Sequence, residues 1–196
     1  SYRTYAYDDA LFADTPYRPG GQLAPAGLNR DLPHQVLAEA HSRGLAAHLQ
    51  LGPTGVPGLR PEDQVHYPDG SMPGAQRVAR QGCLNNPAVR PYIVAVVLDA
   101  AQQFPEADGL FLDWVEYTVY DLRDHFACTC PHCARAAQAW GYDWERILRD
   151  VRALWDRLHR LDAQDLERIQ RIARTPSALL ELLQTYPGWL DFLRFK

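Results

Sequence analysis

The sequence predicts an α/β fold: part of a (β/α)8 TIM-type barrel with a helical C-terminal segment. Three observations lead there. Short apolar runs alternate with helical segments between residues 2 and 114, an order that implies parallel strands joined by crossover helices. Only three strands are legible, too few to close a barrel of about 250 residues and poor at hiding their edges as an open sheet. From residue 134 onward the pattern is helical. The chain therefore reads as a fragment of a longer protein. Residues 1–134 would be a partial βα barrel with a cysteine loop, and 135–196 a helical segment of the same domain. A small open sheet with a helical tail is the alternative.

Residues 2–7, rich in Tyr and Thr, read as the first strand and run into Asp8 and Asp9. The Pro- and Gly-rich stretch 14–30 is a loop. Asp31 and Pro33 start a helix whose apolar residues are Val36, Leu37 and Ala40, and Gly44 ends it. Residues 45–51 form the second strand. Residues 52–82 form a second long loop, and loops of that length in compact domains are usually functional or disordered. Asn86-Pro87 opens a helix in which Val89, Ile93, Val96, Val97 and Ala100 recur at helical spacing. Leu110-Phe111-Leu112-Asp113-Trp114 reads as a buried strand ending in an acid. Further helices are expected at 134–140, 143–160, about 163–173 and about 176–185, followed by the apolar tail Trp189–Phe195.

Composition narrows the function. The formal net charge is −4, with 20 basic and 24 acidic groups, so there is no basic excess to neutralise phosphates and nucleic acid is not an expected partner. Residues 1–134 sum to −6 and residues 135–196 to +2. No apolar run reaches the roughly 18 residues that span a bilayer, and no membrane partner is expected. Cysteine clustering without an obvious disulfide framework fits a reducing, cytoplasmic setting.

The four cysteines are Cys83, Cys128, Cys130 and Cys133, the last three in a C-x-C-x-x-C loop. One loop of that spacing can wrap a single ion, and zinc favours four thiolate or imidazole ligands in a tetrahedron. Cys83 is the natural fourth ligand, because the intervening helix and strand make one βα-type step; His125 and His132 are reserves. The plain alternative is four buried thiols. A competing reading takes Cys130-Pro131-His132-Cys133 as a C-x-x-C redox centre at a helix start.

In parallel α/β folds, ligands bind beyond the carboxyl ends of strands. Asp8 and Asp9, then His48 and Gln50, then Asp113 with Glu116, stand at such ends. Carboxylates gathered on one rim suit general acid–base or nucleophilic work on a sugar. Asp113 and Glu116 are the candidate catalytic carboxylates, either one acting with a partner carboxylate elsewhere; Asp8, Asp9, His48, Gln50, Trp114 and Tyr117 are candidate substrate-binding residues, the aromatics stacking on sugar rings. For the acids, the plain alternative is turn formation or helix capping.

The segments Cys83-Leu-Asn-Asn-Pro-Ala-Val-Arg-Pro-Tyr, Asp108-Gly-Leu-Phe-Leu-Asp-Trp-Val-Glu and Cys128-Thr-Cys-Pro-His-Cys resemble the barrel of glycoside hydrolases. The cysteine layout is similar to that of the β-galactosidases of glycoside hydrolase family 42, where four cysteines in this order bind a structural zinc. The resemblance covers roughly residues 1–135. It implies zinc on Cys83, Cys128, Cys130 and Cys133 and a carbohydrate substrate. One departure stands out: that family carries an Asn-Glu pair at the end of its fourth strand, whereas here the strand ends Asp113-Trp114-Val115-Glu116. The expectation is a glycosidase with a structural zinc. Its rivals are a non-catalytic carbohydrate-binding barrel and a thiol redox protein.

Overall fold

The computed structural model describes residues 2–3, 5–23, 25, 29–73, 81–113, 115, 117, 122–172 and 176–196. The chain divides into two compact units. One comprises Ser1–Val65 with Pro73–Thr118, the other His66–Met72 with Val119–Lys196.

The first unit holds the strands. β1 (Tyr2–Arg3) pairs in parallel with β2 (Gln22–Leu23). Helix α1 (Leu32–Ser42) leads to β3 (His48–Leu51), and α2 (Arg90–Gln103) leads to β4 (Gly109–Leu112). β3 and β4 pair in parallel, from His48 against Gly109 to Leu51 against Leu112. The strand–helix–strand alternation thus gives the parallel pair it implies.

The barrel does not form. Among the described residues the strands make two separate two-stranded sheets, β1 with β2 and β3 with β4. A barrel needs every strand flanked on both sides, and here no described strand has two neighbours. β1, Tyr2–Arg3, pairs with β2 rather than with β3. β4 is not the buried strand its composition suggests, since Phe111 is 59% and Leu112 41% exposed. The (β/α)8 TIM-type assignment is therefore corrected to a small mixed fold in which helices dominate.

The core of this unit lies at the other end of α2. Phe12, Tyr17, Val56, Leu59, Val89, Tyr92 and Ala95 pack together. Phe12 and Tyr17 each meet the Tyr92 ring, with centroids 5.9 and 6.2 Å apart. Burial pushes the Tyr92 phenol up to about 12, with Tyr5 adding to it. The 52–65 stretch is not free of structure. A short 3-10 turn at Pro61–Asp63 and isolated antiparallel bridges, Gly55 with Gln81 and Gln64 with Gly82, fold it back on the segment before α2. α2 begins later than Asn86-Pro87 suggests. Asn86 instead caps the approach, its side-chain oxygen accepting the Ala88 N–H at 2.8 Å and its carbonyl the Val89 and Arg90 N–H groups at 3.0 Å.

The second unit is helical: α3 (Pro131–Ala139), α4 (Trp144–Leu158), α5 (Ala163–Ile172), α6 (Pro176–Thr185) and α7 (Pro187–Phe195). α4 is strongly amphipathic, burying Trp144, Ile147, Val151, Leu154 and Trp155, and Asp143 caps its start by accepting the Arg146 N–H at 3.0 Å. The apolar C-terminal run is the seventh helix. It buries Trp189, Phe192 and Phe195 in its own unit. Phe126 bridges Trp155 and Trp189, with ring centroids 5.4 and 4.6 Å away. Gly188 permits the close approach of α7 to α4: an added Cβ would stand 2.7 Å from the Arg146 carbonyl oxygen. Its N–H donates to the buried Asp150 carboxylate at 2.8 Å.

No helix among the described residues is long and apolar enough to cross a membrane.

Candidate metal centre

Three cysteines are set by the start of α3. Cys130 occupies the N-cap position, with Pro131 opening the helix and Cys133 in its first turn. Such a position suits thiolates, because the unpaired N–H groups of a helix start favour negative charge. Cys128 precedes them in an extended link held by His66. The His66 N–H donates to Cys128 Sγ at 3.3 Å, and its carbonyl accepts the Thr129 N–H at 2.9 Å. The 66–72 segment is fixed in turn by side chains of its own unit. Tyr67 Oη donates to the buried Asp124 carboxylate at 2.7 Å, its ring stacks on Trp155, and Arg152 Nε donates to the Pro68 carbonyl at 3.1 Å.

Cys83 is placed by a buried polar network in the first unit. Its N–H donates to the Asp63 carbonyl at 2.9 Å, and its carbonyl accepts the Asn86 N–H at 2.9 Å. The Asp63 carboxylate is the hub. It accepts from Asn86 Nδ2 at 2.6 Å, from Arg60 Nε at 2.7 Å and from Tyr17 Oη. Burial works to raise the Asp63 carboxyl, but the hydrogen bonds from Tyr17, Asn86 and Arg60 and the Arg60 charge outweigh it and hold the group below its ordinary value. Burial raises the Tyr17 phenol, and the adjacent carboxylate adds to that. Gly82 lets this turn sit tightly on α2, for an added Cβ would lie 2.6 Å from Val89 Cγ1.

The Sγ atoms of Cys83, Cys128, Cys130 and Cys133 all lie within 4.8 Å of one another, and all four residues are buried. No disulfide joins any of them. A tetrahedron with metal–sulfur bonds of about 2.3 Å has sulfurs about 3.8 Å apart, so the group needs an ångström or less of contraction to hold one ion. The donor set fits a metal ion. The reserve ligands His125 and His132 are not part of it: His125 is exposed, and His132 Nδ1 lies 2.8 Å from an Arg135 nitrogen. The Lys196 ammonium lies in the same unit as the C-x-C-x-x-C loop and donates to the His125 carbonyl at 3.2 Å.

The expected carbohydrate site is dispersed by comparison. Gln50 and Asp113 do meet, Gln50 Nε2 donating to Asp113 Oδ2 at 2.7 Å at the end of the β3–β4 pair. His48 lies over Gly109 on the paired strand. Asp8 and Asp9 serve a separate turn: Asp8 caps it by accepting the Ala10 N–H at 2.9 Å, and Asp9 pairs with Arg18 at 3.1 Å. Tyr117 stands beside Cys83, its hydroxyl 3.6 Å from the sulfur. Glu116 and Trp114 lie outside the described residues. Sequence reading missed Asp63, Asn86 and His66. Only the Asx-type turn at Asn86-Pro87 carried a local signal; the other two act through tertiary contacts.

No family model, no curated protein and no solved structure matches this chain. The glycosidase expectation leaned on a barrel rim to gather its carboxylates. That rim is not formed, and the terms hydrolase and glycosidase have no support in the fold.

Proposed function

We propose that Cys83, Cys128, Cys130 and Cys133 bind one zinc ion as four thiolates and that the ion is structural. The observation that carries this reading is four buried sulfurs within 4.8 Å of one another without a disulfide. Burying four thiols in one place is a poor use of small apolar residues unless something draws their sulfurs together. The spacing favours one ion over an iron–sulfur cluster, whose inorganic sulfides spread the thiolates further apart. Thiolate-only, tetrahedral donor sets select zinc among the common divalent ions. Four thiolates fill the coordination sphere and leave no position for water, so the ion organises loops rather than activating a nucleophile.

The test is metal analysis of the full chain purified without added metal, beside Cys83→Ser and Cys130→Ser. One equivalent of zinc is expected, with both variants losing retention. A red, iron-containing protein would replace zinc by iron. A metal-free protein with a Cys130–Cys133 disulfide would overturn the reading in favour of thiol redox chemistry.

A further inference from the structure

Tyr117 Oη lies 3.6 Å from Cys83 Sγ and accepts the Leu84 N–H at 3.2 Å. This inference rests on the metal reading above. While Cys83 is a thiol, either atom of the pair can supply the proton. Once Cys83 is a metal-bound thiolate, the only proton between the two atoms is the one on the phenol. The Leu84 N–H already points at a lone pair of that oxygen, which polarises the hydroxyl as a donor.

We propose that Tyr117 is a positioning residue of the metal centre: its hydroxyl donates to the Cys83 thiolate and sets that sulfur's charge and its hold on the metal. Cys128 receives the equivalent bond from a backbone amide, His66 N–H at 3.3 Å. The Cys83 bond differs in coming from a side chain, so one substitution deletes it, together with the acceptor of the Leu84 N–H. Hydrogen bonds to a coordinated thiolate withdraw electron density. They make the sulfur less reactive toward alkylating agents and raise the energy of sulfur-to-metal charge transfer. Groups that support a ligand from behind typically govern metal affinity by about 10–100-fold.

The experiment compares the full chain with Tyr117→Phe, both loaded with cobalt(II) as a spectroscopic probe. Phe keeps the ring and removes only the proton and oxygen. Expected are a thiolate-to-cobalt band shifted to lower energy, cobalt affinity weakened about tenfold, and several-fold faster alkylation of Cys83 by iodoacetamide, read by peptide mass mapping. A parent chain with no thiolate-to-cobalt band would sink the metal reading itself, and this inference with it. A parent band that Tyr117→Phe leaves unmoved, with unchanged affinity, would overturn the inference alone. Should Tyr117→Phe fail to fold, the parent loaded with cadmium-113 decides: a through-bond correlation between the metal and a tyrosine hydroxyl proton is expected, and its absence counts against the proposal.

Discussion

Replacing Asp63 by asparagine tests whether the polar hub behind Cys83 depends on a carboxylate, as its geometry indicates. The carboxylate accepts on both oxygens: Asn86 Nδ2 on Oδ1, and Tyr17 Oη with Arg60 on Oδ2. An asparagine has one oxygen and one NH2, so either orientation turns a donor toward a donor. If the NH2 faces Asn86, the buried Asn86 side chain loses its acceptor. If it faces the other side, Tyr17 loses its acceptor and Arg60 its counter-charge. Arg60 is half exposed, and water replaces most of what it loses. The cost therefore comes from the buried partner and from the lost charge-assisted bond, at about 2–4 kcal/mol. For a urea dependence of about 2 kcal/mol per molar, the unfolding midpoint should fall by roughly 1–2 M. The sign with pH follows from the lowered Asp63 carboxyl. Its contribution is fully present above the unfolded value of about 3.9 and is lost as pH falls through the lower folded value. The parent and Asp63→Asn should therefore converge in stability at strongly acid pH and differ most above about pH 4. Urea denaturation followed by tryptophan fluorescence and circular dichroism, repeated across pH, reads both effects. A stability within about 0.5 kcal/mol of the parent at neutral pH, the range of an ordinary surface substitution, would refute the reasoning.

Two glycines give independent tests of packing. Gly188→Ala places a Cβ 2.7 Å from the Arg146 carbonyl oxygen and 2.9 Å from Asp150 Oδ2, and should destabilise by about 1–3 kcal/mol. Alanine also gains about 1 kcal/mol of helix propensity over glycine, so a net stabilisation in thermal melts would show that α7 is not seated on α4. Gly82→Ala sets its Cβ 2.6 Å from Val89 Cγ1 in a fully buried side chain. It should cost a similar amount and also loosen the Cys83 turn, read as faster zinc loss to a chromogenic chelator; unchanged zinc release would separate that turn from the metal.

What the sequence makes legible here are features set by local spacing. The C-x-C-x-x-C loop and the isolated Cys83 point to one another because thiols seldom cluster without a reason. The helices expected between 134 and 185 follow from their apolar period, with Pro176 at the head of α6. The parallel pairing of β3 with β4 follows from the helix between them. Closure of a sheet has no local signature. Leu110-Phe111-Leu112 looks the same whether it is buried on both faces or, as here, open on one. The Pro187-Gly188 pair reads as a breaker, yet proline fits the first helical turn and Gly188 is small because another helix lies against it. Asp63 is indistinguishable from a surface acid until the chain folds Tyr17, Arg60 and Asn86 around it.

On the proposed metal reading, the ion and the polar hub divide one task. Cys83 and Cys128 are separated by 44 residues, and an ion held by both closes that stretch into a loop. The chain-entropy treatment of a cross-link of this length gives about 4 kcal/mol, a large share of the roughly 5–15 kcal/mol that stabilises an ordinary domain. That gain is realised only if the ligand turns are already shaped, since ordering them at the moment of binding would cost about 1–2 kcal/mol per residue. Asp63 and Asn86 shape the Cys83 turn through main-chain bonds on both sides of the cysteine, and His66 holds Cys128 through its N–H to the sulfur and its carbonyl to the Thr129 N–H. On the proposed reading, the ion adds a cross-link between the four cysteines to turns that these hydrogen bonds shape.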